Sequence, residues 1–180
     1  ITLIFGKDFI QLIDNGAGMT QDELDTAIDL AEAEDELRAK LGDEARKGMY
    51  GMGLKIAALT LGWKFKIQTK SHVDSSVEHC FEFNSRNLID KHSKYLERGL
   101  IIKSINPKEG SLSSYDHGTS IIITDLEKRN LPSMNAIKDD LEERFMVDIN
   151  SLSQNVGIDF KIIERNNGVP DDQYKVEHKD

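Results

Sequence analysis

Two short runs carry residue types that could do chemistry: Asp14-Asn15-Gly16-Ala17-Gly18-Met19-Thr20 and Gly48-Met49-Tyr50-Gly51-Met52-Gly53-Leu54-Lys55. An ionised carboxylate only accepts hydrogen bonds, so Asp14 could take one from an exocyclic amine such as adenine N6. A guanine would present a carbonyl at the same edge and be refused, because two acceptors would face each other. Gly16 and Gly18 would let the backbone approach a flat base closely, where a Cβ would collide. In the second run, Gly48, Gly51 and Gly53 open a helix-like stretch whose first amides can converge on phosphate oxygens, aided by the helix dipole. Lys55, one turn in, could add a point charge there, and reads equally well as a solvent-exposed helical lysine. A carboxylate for an amine edge and a glycine nest for an anion are the two ends of a site for ATP.

Each run also has a plainer explanation. Asn15-Gly16 after an alternating apolar run is a strong hairpin signal, and the second run could be a flexible loop that happens to precede a helix. The residues beyond Gly18 argue against a hairpin, because they are helical in pattern. Thr20 and Glu23 have the spacing of a capping box, and Leu24, Ala27, Ile28 and Ala31 recur at helical intervals. The turn therefore leads from a strand into a helix, as ligand-binding glycine loops do, and the two motifs in this order gain weight from each other.

The elements that must position these runs can be read from periodicity. Ile1 to Phe5 and Phe9 to Ile13 read as strands joined by a tight turn at Gly6-Lys7-Asp8. A helix is expected over Thr20–Ala33, then a charged stretch, Glu32 to Lys47, with few apolar anchors. That stretch is a solvated helix and loop or a mobile lid (about residues 32–50) closing over the ligand, and weak packing suits both. Leu54, Ala57, Ala58 and Leu61 stripe a helix that would end at Gly62 as its C′ residue. Trp63, Phe65 and Ile67 alternate with Lys64, Lys66 and Gln68, which implies one buried and one wet face. Val77 to Phe83 alternates likewise, whereas Leu100 to Ile105 and Ser120 to Thr124 are more continuously apolar, as expected of central strands. Asn106 to His117 is rich in Gly, Ser and Pro and reads as a surface excursion. Pro132-Ser133 caps a helix, Val156 to Ile163 is a late strand, and Asn166-Asn167-Gly168 turns into Tyr174-Lys175-Val176. The sum is a single α+β domain, a mixed sheet layered by helices on one face.

Bulk properties fit. The chain has 180 residues, 38% hydrophobic and 31% charged, and no apolar run approaches membrane-spanning length. No signal-peptide pattern opens it, and its one cysteine, Cys80, excludes an internal disulfide, so a cytoplasmic setting (nuclear in a eukaryote) is expected. A net charge of −9 argues against a surface that coats nucleic acid. The chain begins with Ile1 in mid-pattern, as expected of a piece of something longer.

On these motifs the chain resembles the GHKL ATPases, which include gyrase B, the ninety-kilodalton heat-shock chaperones, histidine kinases and the MutL proteins. That family shows Asp-x-Gly-x-Gly, a lid, Gly-x-x-Gly-x-Gly and a late Gly-Thr. Here these are Asp14-Asn15-Gly16-Ala17-Gly18, Gly48-Met49-Tyr50-Gly51-Met52-Gly53 and Gly118-Thr119. Within the family, the run from Gly48 to Lys55 and on to Leu61-Gly62, with His117-Gly118-Thr119 before Ile121-Ile122-Ile123, looks most like the MORC proteins. The resemblance spans roughly the first two thirds of the chain. It implies a Bergerat-type two-layer α/β sandwich with a mixed, mostly antiparallel sheet, binding ATP with Mg²⁺. Asp14 would bond adenine, Gly18 and Met19 would line the base, and Thr119 would reach it directly or through water. Gly51, Gly53 and Lys55 would hold phosphates, with Gly48, Tyr50, Met52 and Leu54 around them. The resemblance also implies an ATP-dependent homodimer, and a DNA or protein partner engaged through other regions.

One departure matters. The family carries a water-activating Glu and a Mg²⁺-coordinating Asn on a helix before the first motif, whereas Ile1 to Ile13 read as strands without that pair. No general base or metal ligand is therefore named, and hydrolysis is expected of the longer protein. A histidine-kinase-type catalytic domain and a non-hydrolysing nucleotide-binding or interaction module are the alternatives.

Overall fold

A computed structural model describes residues 1–28, 53–86, 101–127, 131, 133–140, 161–164 and 172–175. Among these, eight strands form one sheet in the order β5-β4-β3-β6-β2-β1-β7-β8. The strands are β1 (Thr2–Phe5), β2 (Phe9–Asp14), β3 (Gly62–Lys70), β4 (Glu78–Asn84), β5 (Ile102–Ile105), β6 (Gly118–Leu126), β7 (Lys161–Glu164) and β8 (Asp172–Lys175). All neighbours are antiparallel except β1 and β7, so the sheet is mixed and mostly antiparallel. The helices are α1 (Gln21–Ile28), α2 (Gly53–Leu61) and α3 (Met134–Asp140).

Local chemistry explains the joints. The Gly6 amide donates to Phe9 O at 2.8 Å and closes the expected hairpin between β1 and β2. Helix α1 starts with a reciprocal cap. The Glu23 amide donates to Thr20 Oγ1 at 3.3 Å, and the Thr20 amide to Glu23 Oε2 at 2.8 Å. Ser133 caps α3 through its Oγ, which accepts from the Ala136 amide at 3.2 Å. Gly62 is not the left-handed cap that its position suggested, since among the described residues the positive-φ glycines are Gly18 and Gly118. It instead opens β3 directly, where a Cβ would lie 2.7 Å from Thr124 O and 2.8 Å from Ile123 Cγ2. Close packing on β6 is what requires a glycine there.

Strand register divides the sheet into two faces. On one, Phe65, Ile67, Phe81 and Ile123 pack with Leu24 and Ile28 of α1 and Ala58 of α2. The Phe65 ring sits 5.9 Å from Phe81 and 5.4 Å from Phe83. On the other face, Ile4 and Ile13 are covered by Leu112, with Phe9, Tyr115 and Ile163 around them. The segment 106–117 is thus more than a surface excursion, because its Leu112 is fully buried. This cover also overturns the expectation of a wet face along β3. Lys64 is exposed, but Gln68 and Lys70 are buried, at 3% and 5%. β5 is likewise an edge strand rather than a central one, paired only with β4 among the described residues. β6 is central, as expected, with β3 on one side and β2 on the other.

Candidate functional site

Strand register brings Asp14 of β2 opposite Thr119 of β6, and Thr119 opposite Thr69 of β3. Opposed residues share a face, and this row lies on the helix-covered side, one step beyond Leu12, Ile121 and Ile67. Asp14 is half-buried at its strand end. Its Oδ1 accepts the Gly16 amide at 2.8 Å, which fixes the carboxylate in an Asx turn. No other hydrogen bond to this carboxylate occurs among the described residues, so Oδ2 retains its acceptor capacity.

Thr69 is the hub of the row, and it is fully buried. Its Oγ1 accepts the Met19 amide at 2.8 Å and donates to Gly118 O at 3.2 Å. A hydroxyl has one proton, so with that of Thr69 on Gly118 O the 3.3 Å contact between Thr69 Oγ1 and Thr119 Oγ1 is donated by Thr119. Thr119 consequently offers acceptor lone pairs to its surroundings. Beside the Asp14 carboxylate, the row presents acceptors to whatever approaches it.

The two loops are locked together by close backbone approach. Gly18 has φ +66°, and a Cβ there would lie 1.9 Å from Lys70 O. Gly118 has φ +141°, and its Cβ would lie 2.2 Å from Asp14 O. Both glycines are therefore demanded by the protein itself, whatever a ligand adds. Two imidazoles complete the rim. His117 donates through Nδ1 to Gly16 O at 2.6 Å. Ala17 O accepts from the His72 amide at 2.8 Å and from His72 Nδ1 at 3.2 Å. The two rings stand 6.4 Å apart, edge to face.

Behind the row, on the far face, Lys70 Nζ donates to Leu112 O at 3.1 Å, and Gln68 Nε2 donates to Glu78 Oε1 at 2.8 Å. Burial pushes the Glu78 carboxyl above its ordinary value, against the Leu112 amide, Gln68, the Lys70 charge and the Ser111 amide, which all favour the anion. This cluster anchors the middle of the segment that ends at His117.

Of the residues expected at the site, the structure brings together Asp14, Gly16, Gly18, Met19 and Thr119. Gly48, Tyr50, Gly51 and Met52 lie outside the described residues, as does the lid stretch over residues 32–50. Gly53, Leu54 and Lys55 form the first turn of α2. Helix α2 passes into β3 without a loop and buries Ala58 against Phe65 and Ile67, so it runs back over the strand. Its N-terminus accordingly points towards the sheet end that carries Asp14, Thr69 and Thr119. Among the described residues no group of three or more His, Cys, Asp or Glu side chains is placed to hold a metal ion, so no Mg²⁺ ligand is assigned. No described helix is long and apolar enough to cross a membrane.

Sequence reasoning missed Thr69, His72 and His117. Alternation could place Thr69 on a face, but only the register of β3 on β6 reveals its neighbours. His117 was visible as the residue before Gly118-Thr119, without any hint of where its ring would turn.

A family model described as histidine kinase-, DNA gyrase B-, and HSP90-like ATPase matches residues 1–119. No curated protein matches the chain. Among solved structures, the Aquifex aeolicus MutL ATPase domain complexed with ADP aligns with a TM-score of 0.46 at 11% identity, covering 91% of this chain and 51% of that one. This chain thus spans about half the length of that one. With a fold of mixed, mostly antiparallel strands layered by helices, and a family match over most of its length, the chain belongs to the histidine kinase-, DNA gyrase B- and HSP90-like ATPases.

Proposed function

We propose that this chain is the ATP-binding portion of a MORC-like ATPase that uses nucleotide state as a conformational switch in a larger protein. Asp14 Oδ2 accepts the adenine amine, Gly18 and Met19 line the base, and Thr119 takes part through a lone pair, most simply by accepting from a bridging water. The N-terminal turn of α2, with Gly51, Gly53 and Lys55, takes the phosphates, and the stretch over residues 32–50 closes over them. Mg²⁺ accompanies the phosphates, and its ligands, like the general base, belong to parts of the protein beyond the described site. ATP-dependent dimerisation, a DNA or protein partner, and a cytoplasmic or nuclear setting belong to the same reading.

The observation that carries it is the acceptor row. Asp14 is held by Gly16 with Oδ2 unpartnered among the described residues, and with the Thr69 proton on Gly118 O that of Thr119 goes to Thr69. Such a row complements an amine and opposes a carbonyl. In Asp14→Asn, the side-chain oxygen would keep the Gly16 amide and turn a donor towards the base. ATP affinity measured by calorimetry is then expected to fall by about ten- to a hundredfold, the size of a lost charge-assisted hydrogen bond plus a donor facing a donor. ITP, with a carbonyl at that edge, should lose nothing and gain from the new donor. Equal losses for both nucleotides would remove Asp14 from base selection. Binding without turnover by the full-length protein would identify a non-hydrolysing module.

A further inference from the structure

We infer that His117, seconded by His72, is a positioning residue for the base end of the site: its imidazole holds the Gly16 carbonyl and so keeps Asp14 aimed. The inference rests on the nucleotide reading above and adds a residue to it.

The turn from Asp14 to Gly18 is tethered at few points. The Gly16 amide holds Asp14 Oδ1, the Met19 amide holds Thr69, and Ala17 O is held by His72. Gly16 is exposed, and glycine has the widest conformational freedom of any residue. If its carbonyl were free, rotation about Gly16 could swing the adjacent amide away from Asp14. His117 Nδ1 closes that route at 2.6 Å, and among the described residues it is the only partner of Gly16 O. Since a carbonyl can only accept, the Nδ1 atom must carry the proton.

The ring is itself well founded. Gly118 follows it, and an added Cβ there would meet Asp14 O and lie 3.1 Å from Asn15 Cα, so residues 117–118 rest directly on the turn. Upstream, the same segment is fastened to the far face through fully buried Leu112, whose carbonyl accepts from Lys70. A segment fastened at Leu112 and packed on the turn at Gly118 therefore presents a donor to an exposed glycine of the base loop. Removing the donor lowers the fraction of molecules in which Asp14 is aimed, and apparent affinity falls by that fraction.

The test uses this chain with three probes. Without nucleotide, hydrogen exchange at the Gly16 amide should quicken severalfold in His117→Ala. By calorimetry, ATP should bind that variant about three- to tenfold more weakly, as for one lost hydrogen bond. Inorganic tripolyphosphate, which lacks a base, should bind as before. In His117→Asn an amide nitrogen can stand near the Nδ1 position, and both the slow exchange and the ATP affinity should largely return. Unchanged exchange in His117→Ala would overturn the inference, as would an equal loss for tripolyphosphate or an Asn variant no better than Ala. If the unaltered chain binds no ATP, the nucleotide reading fails on its own, while the exchange result still decides whether His117 holds the turn.

Discussion

At the scale of single residues, the site depends on atoms that are missing as much as on those present. Gly18 sits at positive φ with the Lys70 carbonyl where its Cβ would be. A backbone oxygen cannot rotate aside as a long side chain can. Gly18→Ala should therefore cost about 2–4 kcal/mol in urea unfolding, a strained backbone added to a steric clash. A loss below about 0.5 kcal/mol would mean that the turn re-forms freely, and the tight union of the two loops would then be wrong. The need for glycine here was legible in the sequence, but its stated reason was incomplete. A flat ligand explains a glycine facing the ligand, whereas the crossing of Gly18 over Lys70 depends on a pairing with a strand far along the chain. Thr69 was illegible for the same reason. Its hydroxyl is one of many along an alternating strand until register sets it beside Thr119 and Met19.

At the scale of elements, local signals were the most readable. Thr20 and Glu23 announced the start of α1, and both halves of that cap form. Thr20→Ala removes one half, and about 1 kcal/mol of stability should go with it, seen as a lower melting temperature. Thr20→Ser should restore most of it, whereas an unchanged melting temperature in Thr20→Ala would show that packing alone fixes the helix start. The failures lie where an element's surroundings decide its character. β3 alternates along its whole length, yet its second face is wet at Lys64 and dry at Lys70, because the segment 106–117 folds over one end only. β5 begins at the end of the apolar run Leu100 to Ile102 yet lies at an edge. Composition registers how much apolar surface a strand has, not how many neighbours it finds.

At the scale of the whole molecule, two cores lie on opposite faces of one sheet, and a buried polar cluster sits on the far face beside the second. Glu78 is fully buried within it, and burial raises its carboxyl above 4.5. A raised acid holds on to its proton in the folded chain after the unfolded chain has released it. Its share of stability is therefore complete below pH 4.5 and is lost as pH climbs through the raised value. Urea unfolding across that window should show stability falling with pH, and Glu78→Gln should flatten the fall. A slope identical in both proteins would mean that Glu78 is not what titrates. The mixed α+β class, and the order of motifs along the chain, could be read in advance. The far-face cluster could not, because Gln68, Lys70 and Glu78 look like solvated residues until Leu112 is seen to cover them.

The place of β6 bears on how such a chain comes together. β2 and β3 never touch as partners; each pairs with β6, which is made after both. A polypeptide emerging from the ribosome thus carries two strand pairs, each apolar on one face, whose native partner β6 is missing until residues 118–126 arrive between them. The middle of the sheet, and the row Asp14–Thr119–Thr69 at its end, accordingly cannot be complete before β6 has been made. Nascent chains cut short before Gly118 should be wards of chaperones rather than half-built nucleotide pockets.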